Sequence, residues 1–168
     1  MTEFKIGDKL FHPVHGTGTL ADLDKETKNG EVTDYLVISL TESNGILMTP
    51  VERAEEIGLR RVVKKGNRPA LWKLFAGRPR KMSKNYRKRS AQVQERLVEG
   101  GFKEIAHLIR DLAWREVQSG FNSYDRRIFK RAKGLLAQEL AVSEGIETDE
   151  AKERMESALE RRLSRWQE

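Results

Sequence analysis

The sequence predicts an α+β protein in which a small β-domain precedes a compact α-helical domain. Short β-branched and aromatic runs separated by turn residues fill the first part of the chain, and apolar residues at helical spacing fill the rest. Residues 60–89 carry thirteen Lys or Arg and no Asp or Glu, whereas residues 1–59 carry five basic and eleven acidic side chains. With 38% hydrophobic content in 168 residues, two modest cores fit better than one large core. We therefore expect a β-domain at 1–62, a linker at 63–70 and a helical domain at 71–168.

Short apolar runs indicate strands near residues 10–11, 18–23, 35–40 and 46–49. Asn29-Gly30 predicts a type I′ turn between a strand that ends near Thr27 and one that starts near Val32, because both residues tolerate positive φ. Ser43-Asn44-Gly45 predicts a second reversal. Pro50 should end the last strand, with room for one helical turn over 51–56. Four or five strands joined by tight turns predict a small SH3-like or Tudor-like barrel, which is too small for a buried catalytic pocket.

Apolar periodicity predicts about five helices in the second domain. A short helix over 70–75 and a longer one over 84–98, with Val93 and Leu97 inward, come first. Asn122 or Ser123 should cap a later helix, and Thr148-Asp149-Glu150 should open the last one. The inward positions of the last three helices are Phe102, Ile105, Ala106, Ile109, Leu112, Ala113, then Ile128, Ala132, Leu135, Leu136, Leu140, then Met155, Leu159 and Leu163.

The composition excludes several classes of function. With no cysteine, the chain can form no disulfide, thiolate metal site or cysteine nucleophile. No apolar run reaches the roughly 18 residues that a membrane span needs, and the N-terminus lacks a secretory pattern. We expect a cytoplasmic protein without a cofactor.

Two motifs near the N-terminus could bind a small ligand. His12 and His15 have a metal-ligand spacing, but Pro13 lies between them and no third ligand follows, which favours a proline-containing turn. Gly16-Thr17-Gly18 could cradle a phosphate, but these glycines lead into a strand rather than a helix, which favours a turn.

Asp22, Asp24 and Glu26 alternate along a strand and could bind a divalent ion in a nuclease. Nothing else in the sequence completes such a site, so a solvated hairpin edge is the preferred interpretation. No arrangement of nucleophile, base and oxyanion donors is visible elsewhere.

The basic block indicates a polyanionic ligand, with nucleic acid as the first candidate. Seven of the twelve residues in 78–89 are basic, and Tyr86 is the only aromatic residue among them. Tyr86 could reach bases or could pack into the core. A second cluster could flank the same duplex groove; it comprises Arg126, Arg127, Lys130, Arg131 and Lys133.

The order of several motifs resembles the bacterial CarD family of transcription regulators over essentially the full length. The first domain carries Phe4-Lys5-Ile6-Gly7-Asp8, the turn His12-Pro13-Val14-His15-Gly16-Thr17-Gly18, Tyr35-Leu36-Val37, Met48-Thr49-Pro50 and Gly58-Leu59-Arg60. The second carries Tyr86-Arg87-Lys88-Arg89, Ile105-Ala106, Ile109-Arg110-Asp111-Leu112, Arg131-Ala132-Lys133 and Leu135-Leu136-Ala137-Gln138-Glu139-Leu140.

The resemblance implies a regulator without catalytic activity. The β-domain would dock on the RNA polymerase β subunit, and the helical domain would contact promoter DNA at the upstream edge of the melted bubble. An aromatic wedge in the minor groove would then stabilise the open complex. The implied DNA-binding residues are Lys84, Tyr86, Arg87, Lys88, Arg89, Arg126, Arg127, Lys130 and Arg131, and the implied polymerase-binding residues are Ile46, Leu47, Met48, Thr49 and Pro50.

The chain departs from the family pattern at three positions. Tyr86 stands where the wedge is usually tryptophan, whereas Trp72 and Trp114 do not align with the wedge. Glu26 and Met48 stand where relatives often carry arginine, so docking would depend more on apolar contact and strand-edge pairing. We expect a monomer that associates with the nucleoid through RNA polymerase; the alternative is an RNA-binding or ribosome-associated basic protein.

Overall fold

The computed structural model describes residues 3–167, which divide after Val62 into two compact units. The first unit is a β-sheet and the second is helical, as the sequence predicts. Within the described residues, no helix combines the length and the apolar character that a membrane crossing requires.

The first unit is one antiparallel sheet with strand order β4-β3-β2-β1-β5. The strands are β1 (Lys9–His12), β2 (Gly16–Lys28), β3 (Glu31–Leu40), β4 (Ile46–Pro50) and β5 (Arg60–Arg61). β2 and β3 form the long hairpin predicted from Asn29-Gly30, whose φ angles are 51° and 81°. A 3-10 turn, Val51–Arg53, follows Pro50.

The sheet is not closed into the predicted barrel. β5, which the sequence does not predict, has only two residues and pairs with β1, while β4 pairs with β3. β4 and β5 are the two outermost strands of the sheet. In the part of the chain that the structure describes, β4 is therefore an edge strand that pairs on one side only. The core beneath the sheet consists of Phe4, Leu10, Leu20, Leu36, Ile38, Ala54 and Leu59.

Four α-helices form the second unit: α1 (Tyr86–Glu99), α2 (Phe102–Ser119), α3 (Ser123–Glu144) and α4 (Thr148–Gln167). The short helix predicted over 70–75 is a single 3-10 turn, Leu71–Lys73. The turn cannot continue past Gly77, whose φ of 92° lies outside the helical region. All of the predicted inward positions are buried except Leu163, which is half-buried.

Residues 63–68 lie along α3 within the second unit. The Val63 backbone N–H donates to Glu139 Oε1 at 3.0 Å. Lys65 Nζ lies 3.1 Å from Glu144 Oε2, and the Arg68 guanidinium pairs with the same carboxylate. These contacts hold residues 63–68 against the C-terminal part of α3.

Candidate nucleic-acid interface

The N-terminus of α1, residues 84–88, forms an exposed basic segment that we call the α1 tip. Asn85 caps the helix, because its side-chain oxygen accepts hydrogen bonds from the backbone N–H of Arg87 (2.9 Å) and Lys88 (3.2 Å). The Tyr86 side chain is 53% exposed, and the Arg87 guanidinium lies 5.9 Å from its ring centroid. This exposure excludes the core interpretation of Tyr86. The α1 tip thus presents one aromatic ring among the exposed cations of Lys84, Arg87 and Lys88.

Arg89 was predicted to contact DNA, and the structure contradicts that prediction. Its side chain is 1% exposed and forms a bidentate pair with Asp125, with Nε 2.7 Å from Oδ1 and Nη2 3.1 Å from Oδ2. Nη1 also donates to the carbonyl oxygens of Ser83 (2.9 Å) and Lys84 (3.3 Å). Because all of these bonds point inward, Arg89 fixes the backbone of the α1 tip instead of presenting a charge to a ligand.

Asp125 connects the start of α1 to the start of α3. It is also part of a capping box: its backbone N–H donates to the Asn122 side chain at 2.8 Å, and its Oδ2 accepts from the Asn122 backbone N–H at 3.3 Å. The hydroxyls of Ser90 and Tyr124, which are the sequence neighbours of Arg89 and Asp125, lie 2.7 Å apart. The two helix N-termini are therefore held together by side chains that are largely inaccessible to a ligand.

A second group of ion pairs anchors the loop that precedes the α1 tip. The Arg80 backbone N–H donates to the buried Asp111 carboxylate at 3.0 Å, and Arg96 Nη2 lies 2.8 Å from the same group. Arg80 and Arg96 also bind Glu104 at 2.8 Å and 2.7 Å. Burial alone would raise the pKa of Glu104, but the hydrogen bonds from Arg80 and Arg96 outweigh it and lower the pKa below 4.5. Glu104 therefore stays ionised near neutral pH, and the loop stays attached to α2.

The second basic cluster lies on α3, where Arg126, Arg127, Lys130 and Arg131 are all exposed. Arg127 and Arg131 are four residues apart and line a groove of about 330 Å³ with Gln94 of α1 and Tyr124. Gln94 follows Tyr86 by eight residues, or about 12 Å along a helix axis. Arg127 and Arg131 are thus placed beside α1, whereas Arg126 and Lys130 do not line this groove.

The predicted polymerase-binding residues form β4, the edge strand of the sheet. Their burial alternates: Ile46 is 72% and Met48 41% exposed, whereas Thr49 is 3% exposed and Leu47 packs against the core. Met48 lies opposite Val37 of β3, and Tyr35 lies opposite Pro50. β4 therefore combines an apolar outward face with a backbone edge on the side away from β3.

The ligand motifs near the N-terminus have structural explanations. His12 is 9% exposed, and its Nδ1 accepts hydrogen bonds from the backbone N–H of Val14 (3.0 Å) and His15 (3.2 Å), so the turn interpretation is confirmed. A Cβ at Gly18 would lie 2.6 Å from Ile38 Cγ2, so glycine permits close approach of β2 to β3. Among residues 3–167, no group of three His, Asp or Glu side chains is arranged to hold a metal ion.

The structural roles of Asp125 and Arg89 were not predicted from the sequence. Asp125 is both the buried partner of Arg89 and the third residue after the cap Asn122, a capping-box spacing that the sequence contains. Arg89 precedes the buried Val93 and Leu97 by four and eight residues, which places all three on one helix face. This spacing could have identified Arg89 as an inward position.

The protein therefore combines a β-sheet unit that has an apolar edge strand with a helical unit that has an exposed basic tip. This is the architecture of a two-domain protein with separate candidate binding surfaces. Residues 4–63 match the family described as the CarD-like/TRCF RID domain, and residues 70–156 match the CarD C-terminal domain. The chain belongs to the CarD family of transcription factors. The first domain is of a type that interacts with RNA polymerase.

One relative is the Bacillus subtilis protein named "Putative transcription factor YdeB". It is 24% identical to this chain over 143 residues, which cover 85% of this chain and 94% of the relative. The similarity therefore spans both units.

Proposed function

We propose that the protein binds the RNA polymerase β subunit through β4 and stabilises open promoter complexes by contacting the upstream bubble edge with the α1 tip. The strongest support is the exposure of Tyr86 on a backbone that Arg89 and Asp125 hold in place. A flat ring at the end of a fixed helix can enter a widened minor groove without first paying an ordering cost.

The cations around Tyr86 support the same function. Lys84, Arg87 and Lys88 are exposed, and no ion pair within residues 3–167 involves them. They can neutralise phosphates on either side of the ring, which supplies affinity without sequence preference. Arg127 and Arg131, in the groove beside α1, extend the positive surface along the duplex.

The edge strand supports polymerase docking through the first unit. An edge strand offers unpaired backbone groups to a strand of the partner, and Ile46 and Met48 offer apolar contact on one face. Residues 1–59 carry six more acidic than basic side chains, eleven against five, which disfavours DNA and suits a protein partner.

Tethering connects the two contacts. Once β4 is docked, the α1 tip is confined near the promoter at a high effective concentration, so a weak non-specific DNA interaction becomes useful there. A preference of about 1.4 kcal/mol for the open complex would raise its population relative to the closed complex about tenfold.

The charge contribution predicts a change in salt dependence. For the variant Arg87→Gln/Lys88→Gln, duplex DNA binding should weaken similarly for all sequences, and the log–log salt slope should fall by up to about two, since each cation neutralises one phosphate. Arg89 is not included, because it is buried. Fluorescence anisotropy over a salt titration measures the slope. The control Lys103→Gln/Lys152→Gln removes the same charge from exposed positions outside the α1 tip; equal slopes for both variants would remove Arg87 and Lys88 from the interface.

A further inference from the structure

A second surface of the helical unit has no role in the proposed function. An open groove of about 580 Å³ lies between the turn Leu71–Lys73 and residues 153–165 of α4. The apolar part of its lining consists of Leu71, Trp72 and Ala158. The charged part includes four arginines of α4. None of these residues belongs to the α1 tip or to the groove beside α1.

The charged lining is strongly asymmetric. Arg154, Arg161, Arg162 and Arg165 line the groove against a single acidic side chain, Glu153. Arg154, Arg161 and Arg165 repeat at helical spacing and lie on one face over about 16 Å of helix axis. Arg154 pairs with Glu150, but no ion pair among residues 3–167 involves Arg161, Arg162 or Arg165. This row of guanidinium groups is free to bind an anionic partner.

Trp72 is the most exposed of the tryptophans. Its side chain is 70% exposed, and Lys73 Nζ lies 4.7 Å from its ring centroid. Trp114 and Trp166, by contrast, pack edge to face against each other with ring centroids 5.6 Å apart. A solvent-facing indole beside three unpaired arginines contributes little to the core, so its position favours contact with a ligand.

We infer that this groove binds single-stranded nucleic acid. Every base presents a planar face that can stack on the Trp72 indole, while Arg161, Arg162 and Arg165 can bind consecutive phosphates. The arginines alone would also suit an acidic peptide; the exposed indole favours nucleic acid because stacking is the contact that a flat ring offers to bases of any sequence. The groove and the α1 tip share no residue, so this site does not depend on the proposed role of Tyr86.

The test uses the full chain and fluorescein-labelled oligo(dT) and oligo(U) of about 15 nucleotides, near the upper end of known single-strand site sizes. For Trp72→Ala, affinity measured by anisotropy should fall roughly tenfold, the loss typical of one stacked base. For Arg161→Gln/Arg165→Gln, the log–log salt slope should fall by about 1.4, since each charge contributes about 0.7 on a single strand. Both oligonucleotides should depend on Trp72, and the tighter one identifies whether DNA or RNA is the preferred strand.

Two controls separate this site from bulk charge and from a folding defect. Lys103→Gln/Lys152→Gln matches the charge change outside the groove and should leave the slope unchanged. Trp72 is exposed, so thermal melting of Trp72→Ala should match the wild type. Undiminished binding by Trp72→Ala would overturn the assignment. A poly-glutamate peptide that binds as tightly as the oligonucleotides and with the same Trp72 dependence would also overturn it.

Discussion

Arg89→Ala is expected to destabilise the helical unit by about 3 kcal/mol, because the buried Asp125 carboxylate loses its bidentate partner and keeps only Arg115, whose Nε lies 4.0 Å away. Asp125 is 1% exposed, and Arg89 supplies two of its hydrogen bonds. The carbonyl oxygens of Ser83 and Lys84 lose a donor in the same variant. Urea unfolding followed by circular dichroism measures the loss.

The matched control is Arg87→Ala, which removes the same side chain from an exposed position two residues earlier. Its effect should stay within about 0.5 kcal/mol. The double variant Arg89→Met/Asp125→Leu should recover part of the loss, because it removes both charges together. Equal effects of Arg87→Ala and Arg89→Ala would contradict the buried pair as the element that fixes the α1 tip.

Met48→Glu is expected to weaken association with RNA polymerase at least about a hundredfold. Met48 faces outward on the edge strand, and a carboxylate there would have to be desolvated against an apolar partner surface. The DNA affinity of the isolated protein should stay unchanged, since the substitution lies in the first unit. Biolayer interferometry with purified core polymerase and with labelled duplex measures both affinities.

Val32→Glu is the matched control for docking. Val32 is 63% exposed on β3, so the substitution adds the same charge at an exposed apolar position away from β4. It should retain polymerase binding. Wild-type affinity of Met48→Glu, or an equal loss in Val32→Glu, would exclude β4 as the docking strand.

Local signals in the sequence were sufficient for most of the fold. Asn29-Gly30 specified the long hairpin because few residues adopt positive φ at two successive positions, and Asn122 specified the start of α3 through its cap. The two-residue β5 could not be predicted, because its pairing with β1 depends on tertiary contact and not on its own composition. The sheet is also open where closure was predicted, because β5 pairs with β1 and not with β4 among the described residues.

The candidate site was less predictable than the fold. Composition identifies the basic block but not which of its side chains face inward, and Arg89, Arg80 and Arg68 all bind carboxylates that lie far away in sequence. For Tyr86, the sequence was compatible with both a buried and an exposed side chain. The structure shows that Tyr86 is the first residue of α1 and that its side chain is exposed. Which carboxylate each of these arginines binds depends on how the helices pack. The periodicity of the sequence does not contain that information.

The lifetime of open promoter complexes, measured on Tyr86→Ala and Tyr86→Trp together, is the sharpest test of Tyr86 as the wedge. A ring inserted at the bubble edge acts after melting, so Tyr86→Ala should shorten the lifetime while polymerase docking and thermal stability stay near wild type. Tyr86→Trp should lengthen it, because the larger ring buries more apolar area and carries no hydroxyl to desolvate. Unchanged lifetimes in both variants, with docking intact, would contradict the role of Tyr86 as the wedge.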